Sequence, residues 1–341
     1  MNGSGEKSFE GVFADALGEH EKKTGNSDGR RGVPPLEHGT VVDGRFELLQ
    51  PLRRRGFGEI WKARLIGNEN CEAALTFVPI APDGWSFLRE SKRVQRILQS
   101  VRALKHRNIQ SVYRLKHSEI FGPYLVSQWI EGVPLDEFAG DPVNMTRKNG
   151  LIPRNIVFRI LSSAAEALDY AHERGVIHCG VCPRNIFVRR TGDGYEAVLS
   201  GFGIAAIITE VRKRGAAAMS GCTFQTPPEY MSPEQWRGKL RSLDGRTDQY
   251  SLGVIAYEFF SGDPPFGLPA FLERSPENYM KYLRQDVLFR SPEVPDCIPE
   301  EFFYWSLERA LYKNREDRYS NCREFVKEIA PYCRKDNRTE T

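Results

Sequence analysis

The chain has 341 residues, of which 40% are hydrophobic and 27% charged, and its formal net charge is +3. Such a composition is typical of a folded protein with one large core or two smaller ones. The small net charge does not indicate a nucleic-acid partner, and no apolar run of about 18 residues predicts a membrane span. The N-terminus also lacks the apolar stretch of a signal peptide, so a cytoplasmic location is expected.

The first third of the chain predicts a tail followed by strands. Residues 1–36 are rich in glycine, serine and charge, and we predict a disordered tail there. Three β-like runs then follow, separated by polar or glycine-containing turns: GRFELLQPL, EIWKARLI and EAALTFVPI. These runs predict an antiparallel meander. The segment from Trp85 to Leu104 has apolar residues at helical spacing, and two more strand-like runs end at PYLVSQWIEG.

The rest of the chain, beyond Gly132, has a helical pattern. Its clearest helices are IVFRILSSAAEALDYAHERG and DQYSLGVIAYEFFSG. The predicted fold class is therefore α+β with two lobes, a small antiparallel β lobe with one helix and a larger, mainly helical lobe. The predicted boundaries are a tail at 1–36, a small lobe at 37–131, a large lobe at 132–332 and a C-terminal tail at 333–341.

Six short motifs follow one another along the chain: LRRRGFGEIWKA, AALT, HCGVCPRN, GFG, SPE and DQYSLG. In this order they resemble the landmarks of Ser/Thr protein kinases of the bacterial type, from the glycine-rich loop and the third-strand lysine motif to the catalytic loop and the activation segment. One such motif would be weak evidence, but six in the family's order are specific. The resemblance covers roughly residues 36–332 and implies the two-lobed kinase fold.

The resemblance also assigns structural roles. Glu234 and Arg318 match a buried ion pair that joins the end of the activation segment to a late helix. Asp248 matches the aspartate that braces the backbone of the catalytic loop. His178 and Phe202 match two members of the hydrophobic spine that links the lobes. Packing and folding are sufficient reasons for these five side chains, so they are not evidence of activity.

The catalytic positions depart from the family's pattern. Kinases use a lysine on the phosphates, an aspartate and an asparagine on magnesium, and an aspartate that accepts the substrate proton. Thr76 occupies the lysine position, Gly180 the base position and Gly201 the metal-binding position, while Asn185 alone matches. Cys182 replaces a further lysine of the catalytic loop. No catalytic residue is intact, and magnesium is expected to bind poorly because hard cations need carboxylate oxygens.

A nucleotide pocket is implied only in part. Its matching positions are Ile60, Ala74, Ser127, Gln128, Ile130, Asn185 and Phe187. In the glycine-rich loop, Arg53 and Arg55 occupy the places of two glycines, while Gly56 and Gly58 are present. Large side chains there obstruct the close approach of backbone amides to phosphate. We therefore expect no required cofactor and at most weak ATP binding that does not depend on magnesium, unless an arginine swings inward to supply the missing charge.

Several interpretations remain open. The leading hypothesis is a pseudokinase that binds a protein partner as a regulatory module. The alternative is an active Ser/Thr kinase, or another ATP-dependent transferase, with non-standard residues. Cys179 and Cys182 form a C-x-x-C pair that could bind metal or cycle as a dithiol, but incidental occupation of two dispensable positions is preferred because no second such pair occurs. His172 is interpreted as a core or surface residue.

Overall fold

The computed structural model describes residues 34–53, 59–78, 82–140, 152–192, 194–204, 207, 227–238, 242–266 and 276–334. The predicted N-terminal tail falls almost wholly outside this part of the chain, as do the end of the predicted C-terminal tail and the loop residues Arg55, Gly56 and Gly58. The described residues form two compact units. The first comprises residues up to 91 together with 111–129, and the second comprises 92–110 and the described residues from 130 onward.

The first unit contains a six-stranded sheet in which all neighbours are antiparallel. The strands follow the order β1-β2-β3-β4-β6-β5: β1 (Val41–Val42), β2 (Phe46–Arg53), β3 (Ile60–Leu65), β4 (Asn68–Phe77), β5 (Val112–Ser118) and β6 (Gly122–Gln128). The three predicted β-like runs form β2, β3 and β4, so the predicted meander is confirmed. The turn between β3 and β4 contains Gly67 at a φ of 87°, a conformation that glycine adopts without strain.

Alternating side chains decide which face of this sheet is buried. Along β3, Trp61, Ala63 and Leu65 are buried, and the residues between them are only partly covered. The buried set packs with Leu48 and Tyr124 in one hydrophobic core. Full burial of a large apolar side chain stabilises the fold by about 1.5–3 kcal/mol. A slip of one residue would move these side chains to the other face, so the period-two pattern fixes the register of the strands.

The helical segment expected between Trp85 and Leu104 is interrupted at Ser91. It forms two helices, α1 (Pro82–Glu90) in the first unit and α2 (Lys92–Arg102) in the second. On α2 the buried residues are Val94, Leu98 and Val101, which lie on one helical face. A serine hydroxyl competes for backbone hydrogen bonds, which contributes to such a break without being sufficient for it.

The second unit is mainly helical. Besides α2, its helices are α3 (Leu135–Gly140), α4 (Arg154–His172), α5 (Pro233–Trp236), α6 (Gly245–Ser261), α7 (Pro276–Phe289), α8 (Glu300–Phe302), α9 (Glu308–Ala310) and α10 (Cys322–Arg334). A small antiparallel sheet accompanies them, in the order β7 (Val133–Pro134), β8 (Ile186–Thr191) and β9 (Gly194–Leu199). Within the described residues, no helix combines the length and the apolar character that a membrane span requires.

Helix α6 lies at the centre of the second unit and is buried along most of its length. Its N-terminus is capped by the Asp244 carboxylate, which accepts a hydrogen bond from the Arg246 amide at 3.0 Å. It ends at Gly262, whose φ of 102° turns the chain away from the helix. Helix α10 packs against α4 and α6. This arrangement places the first turn of α6 beneath the loop that resembles a catalytic loop.

Candidate functional site

The loop at residues 178–185, called here the catalytic loop, is held by the carboxylate of Asp248 in the first turn of α6. Its two oxygens accept hydrogen bonds from the backbone amides of His178 and Cys179, each at 2.8 Å. Asp248 is completely buried, and Nε2 of His172 lies 2.8 Å from the same carboxylate. A buried carboxylate is tolerated when N–H donors satisfy it in this way. Asp248 therefore fixes the backbone at the start of the loop.

His178 is a neutral, buried residue of this loop. Its Nδ1 accepts a hydrogen bond from the Gly180 amide at 3.1 Å, and its Nε2 donates one to the Ser200 carbonyl at 2.8 Å. Burial lowers the pKa of His178, which agrees with the neutral tautomer that these two bonds require. The ring meets the Phe202 ring edge to face, with centroids 4.4 Å apart. His178 thus connects the catalytic loop to the GFG segment.

A second contact joins the catalytic loop to helix α5. The side-chain amide of Gln235 donates to the Cys179 carbonyl at 3.0 Å, and its oxygen accepts from the Ser232 amide at 2.9 Å. Ser232 and Gln235 also form the capping box that starts α5. Cys179 has a φ of 58°, an uncommon value for a residue with a side chain. These contacts help to hold the loop in that conformation.

The positions that should carry catalytic carboxylates lie beside Asn185. The Asn185 side-chain amide donates to the Gly180 carbonyl at 2.8 Å. A Cβ added to Gly201 would lie 3.5 Å from the Asn185 side chain, which is ordinary contact, although the φ of 86° at Gly201 disfavours most side chains. The three positions together offer no carboxylate oxygen. They therefore do not fit a magnesium ion, which is held in kinases by an aspartate and an asparagine.

Three of the nucleotide positions, Ile60, Ala74 and Ser127, lie on one face of the first unit's sheet together with Thr76 at the lysine position. Ile60 pairs with Thr76 across β3 and β4, and Ala74 pairs with Ser127 across β4 and β6. Because paired residues and residues two apart point to the same face, all four side chains share the face opposite the hydrophobic core. Thr76 and Ser127 are buried on that face. Gln128 is the last residue of β6, and its backbone N–H donates a hydrogen bond to the Ser111 carbonyl at 2.8 Å.

The remaining nucleotide positions are described only in part. Ile130 and Phe187 belong to the second unit and are both buried, with Phe187 paired to Val198 in the small sheet. The backbone of Arg53 ends β2, but its side chain lies outside the described atoms. Arg55, Gly56 and Gly58 lie outside the described residues. The predicted obstruction of the glycine-rich loop therefore stays a prediction.

Glu234 and Arg318 form a bidentate ion pair, with both N–O distances at 2.9 Å. The Thr247 hydroxyl also donates to Glu234, at 2.9 Å. Arg318 makes further hydrogen bonds to the carbonyls of Tyr312 and Arg246, at 2.7 and 3.0 Å. Burial would raise the pKa of Glu234, but the bonds and charge of Arg318 outweigh it and lower the pKa. Both charges are thus buried and satisfied.

His172 has a role that the sequence analysis missed. It lies between two buried aspartates, with Nε2 2.8 Å from Asp248 and Nδ1 3.8 Å from Asp169. Burial alone would lower its pKa, but the two aspartates raise it to about 9, so the ring is a cation at neutral pH. A Cβ on Gly245 would lie only 2.5 Å from Nδ1. The cation supports Asp248 and hence the catalytic loop.

Asp169, His172 and Cys322 come close enough together to be considered as a metal site. The Asp169 oxygens already accept hydrogen bonds from the amides of Cys322 and Arg323 and from Nε of Arg323, each at 2.9 Å. Burial raises the pKa of the Cys322 thiol well above its ordinary value, and the raised pKa of His172 keeps both of its ring nitrogens protonated at neutral pH. Metal ligands need a thiolate and an open nitrogen. The cluster therefore fits a structural ion pair.

In the C-x-x-C pair of the catalytic loop, Cys182 is buried and Cys179 is half-buried. Neither Cys179 nor Cys182 is in a disulfide, and burial raises the pKa of both thiols. Disulfide exchange and metal binding both use the thiolate, which this environment disfavours. The environment therefore does not favour reactive chemistry at either sulfur.

Comparisons with known proteins agree with this geometry. The profile of the protein kinase domain family matches residues 56–336. Serine/threonine-protein kinase Pkn1 of Myxococcus xanthus is 31% identical over 298 residues, which cover 83% of this chain and 37% of the relative. Serine/threonine-protein kinase PknB of Mycobacterium leprae is 30% identical over 291 residues, covering 82% and 42%. The chain thus spans about two fifths of the length of these curated relatives.

A solved structure supports the same fold. The crystal structure of the Mycobacterium tuberculosis PknI kinase domain superposes with a TM-score of 0.58 at 24% sequence identity, covering 86% of this chain and 98% of that one. At this low sequence identity the similarity is evidence for the fold alone. It confirms the predicted two-lobed, kinase-like fold class. Taken with the family profile and the two bacterial relatives, it leads to one conclusion: the chain belongs to the protein kinase domain family, of the bacterial Ser/Thr type.

Proposed function

We propose that this kinase domain is a pseudokinase, which acts by binding a protein partner and does not transfer phosphate. One observation carries the proposal: Gly180 and Gly201, at the base and metal positions, leave the amide of Asn185 without a neighbouring carboxylate in the catalytic loop. That amide is itself hydrogen-bonded to the Gly180 carbonyl at 2.8 Å. A loop built in this way has no group for accepting a proton and no pair of ligands for magnesium.

The two missing carboxylates act on different parts of the transition state. A general base is typically worth a factor of about 10² to 10⁴ in rate, and glycine supplies none. A metal ion that polarises the phosphoryl oxygens contributes several kcal/mol more. The two groups act on separate charges, so neither can replace the other. Ordinary kinase turnover is therefore not expected.

The phosphate-binding cation is missing in the same way. Thr76 is neutral and short, and the lysine on the same face of the sheet is already engaged. Lys62, which pairs with Ala74, forms an ion pair with Glu72 at 2.6 Å and lies 5.1 Å above the Trp129 ring. Moving Lys62 toward a phosphate would break both contacts. We therefore propose that any ATP binding is weak, on the order of tens of micromolar or worse, and independent of magnesium.

The main test is a phosphate-transfer assay. The purified chain is incubated with radiolabelled ATP, magnesium or manganese, and generic Ser/Thr substrates, and no incorporation above background is expected. Asn185→Ala is compared with Asn155→Ala, which changes an exposed asparagine of α4. Incorporation that Asn185→Ala abolishes and Asn155→Ala leaves intact would show an active enzyme and overturn the proposal.

Nucleotide binding is tested separately by thermal shift. ATP is titrated with and without magnesium, since a ligand of the folded state raises the melting temperature. We expect a small shift at millimolar ATP that magnesium does not change. Submicromolar affinity that requires magnesium would mean that carboxylates outside the catalytic loop supply the metal ligands.

The second candidate function is an active kinase or related transferase with non-standard residues. It is favoured by the two hydrogen bonds that Asp248 accepts from the catalytic-loop amides of His178 and Cys179, and by the similarity to relatives named as serine/threonine-protein kinases. Both candidates predict the same fold, so the phosphate-transfer assay above decides between them.

A further inference from the structure

A single π-helical turn at Phe303–Leu307 presents two exposed aromatic rings between α8 and α9. Trp305 is 78% exposed and Tyr304 is 52% exposed, whereas Phe303 and Leu307 are fully buried beneath them. An indole exposed to this degree leaves a large apolar surface in water. Wide turns of this kind are rare in helices and occur frequently at functional sites.

The wide turn is held rigidly from below. The buried Tyr319 hydroxyl lies 3.1 Å from the Trp305 carbonyl and 3.3 Å from the Ser306 carbonyl, so it donates to oxygens of the turn. The guanidinium of Arg309 lies 4.4 Å over the Tyr319 ring. A turn whose backbone is held in this way loses little backbone freedom when a partner covers it, which favours its use in binding.

Carboxylates flank the two rings. Glu301 is exposed and precedes Trp305 by four residues, and Glu308 is half-buried and follows Tyr304 by four residues, so each carboxylate falls within about one helical turn of a ring. We call these four residues the Trp305 surface. Among the residues that the structure describes, no lysine or arginine pairs with either glutamate. The Trp305 surface thus combines apolar ring faces with negative charge that has no described partner.

We propose that the Trp305 surface binds an arginine-containing segment of a partner protein. An arginine guanidinium stacks on an indole face and pairs with carboxylates through its N–H groups, and this surface offers both. Tryptophan and tyrosine are also the residues that most often dominate binding at protein interfaces. This inference deepens the proposed binding role and rests on it.

The matched control is Phe289 at the end of α7, which is 77% exposed. The carboxylates near it, Asp286 and Glu293, are already paired with Arg290 at 3.3 and 2.9 Å. Phe289 therefore offers an equally exposed ring without unpaired negative charge. If exposure alone caused binding, the two aromatic residues would behave alike.

The experiment titrates the full chain into a fluorescein-labelled ten-residue peptide with four arginines, followed by fluorescence anisotropy at physiological salt. A second peptide has citrulline at each arginine. We expect the arginine peptide to bind with a Kd on the order of 10–100 μM and the citrulline peptide to bind at least tenfold more weakly. Trp305→Ala should weaken binding about tenfold, Glu301→Gln with Glu308→Gln about fivefold, and Phe289→Ala less than twofold.

The contrary outcomes are distinct. The inference is overturned if wild type and Trp305→Ala bind the arginine peptide equally. It is also overturned if the Kd of wild type for this peptide is weaker than about 1 mM. So does a change of oligomeric state in Trp305→Ala by analytical ultracentrifugation, since a second copy would then be the occupant. Melting temperatures of all variants verify folding. Phosphate transfer by a chain that still binds the peptide would contradict the proposed function but not the binding role of the Trp305 surface.

Discussion

Two sets of positions in the second unit differ sharply in their polar contacts. Asp248 and the Glu234–Arg318 pair are buried, and several donors or acceptors satisfy each charge. Gly180 and Gly201, by contrast, have no side chain beyond hydrogen, although Gly180 lies in the loop that Asp248 holds and Gly201 lies beside Asn185 of that loop. The residues that hold this fold together are therefore not the ones at the positions where kinases carry their chemistry. The scaffold keeps its buried charges because removal of either partner is costly, whereas the chemical positions tolerate glycine.

The largest expected effect is the loss of the buried ion pair. Glu234→Ala leaves the Arg318 guanidinium buried without its counter-ion and should lower the free energy of unfolding by about 3–5 kcal/mol. Urea denaturation measures this change. The control is Glu293→Ala, which breaks an exposed pair with Arg290 and should change stability by less than about 0.5 kcal/mol. Similar losses in the two variants would contradict the division between scaffold and chemical positions.

The next effect depends on pH. The pKa of His172 is about 9 in the folded state, above its ordinary value of 6.5, so the folded protein binds this proton more tightly than the unfolded chain does. The protonated ring should therefore contribute roughly 3 kcal/mol below pH 6.5, and this contribution should vanish as the pH rises through 9. Denaturation of wild type and His172→Gln between pH 6 and 9.5 measures it as a difference. A difference that does not change with pH would mean that His172 is neutral.

Crowding around the same histidine gives a third prediction. Gly245→Ala places a methyl group 2.5 Å from Nδ1 of His172 and should destabilise the fold by about 2 kcal/mol, because the ring has to move away from Asp248. Gly140→Ala is the matched control, since a Cβ there has no atom within 4 Å. Thermal unfolding compares the two. Equal stability of the two variants would show that the His172 ring can move without lowering the free energy of unfolding.

The smallest effect is expected at the candidate active site. Asn185→Ala removes a hydrogen bond to the Gly180 carbonyl and should cost about 1 kcal/mol, with or without magnesium. The measurement is urea denaturation at several magnesium concentrations. If magnesium stabilises the wild type and not the variant, Asn185 holds a metal and the contrast with Glu234 fails.

Local sequence patterns predicted the strands well because period-two burial is visible in short windows. The buried residues of β3, Trp61, Ala63 and Leu65, alternate with half-covered ones as the apolar runs suggested. The break at Ser91 was not predicted, since apolar residues at helical spacing continue on both sides of it. A single hydroxyl residue has too weak a preference to end a helix by itself.

The candidate site was predictable only where the family resemblance supplied positions. Glu234 and Arg318 are 84 residues apart, and no local pattern relates them. His172 and Asp248, 76 residues apart, had no such guide, so the charged histidine was missed. The only signal in the chain was Asp169 one helical turn before His172. Trp305 was missed for another reason: in the run FFYW only the fold decides which rings face the core.

Gly201 bears on what a magnesium site in this domain would need. Its φ of 86° lies in a region that aspartate and asparagine tolerate better than most residues, and a Cβ there meets only ordinary contact with Asn185. One substitution, Gly201→Asp, would therefore restore a carboxylate beside that amide without a clash. Turnover would still lack the base and the phosphate-binding lysine. Under the proposed function, a magnesium site is therefore expected to need at least this one substitution, and turnover is expected to need the other two positions as well.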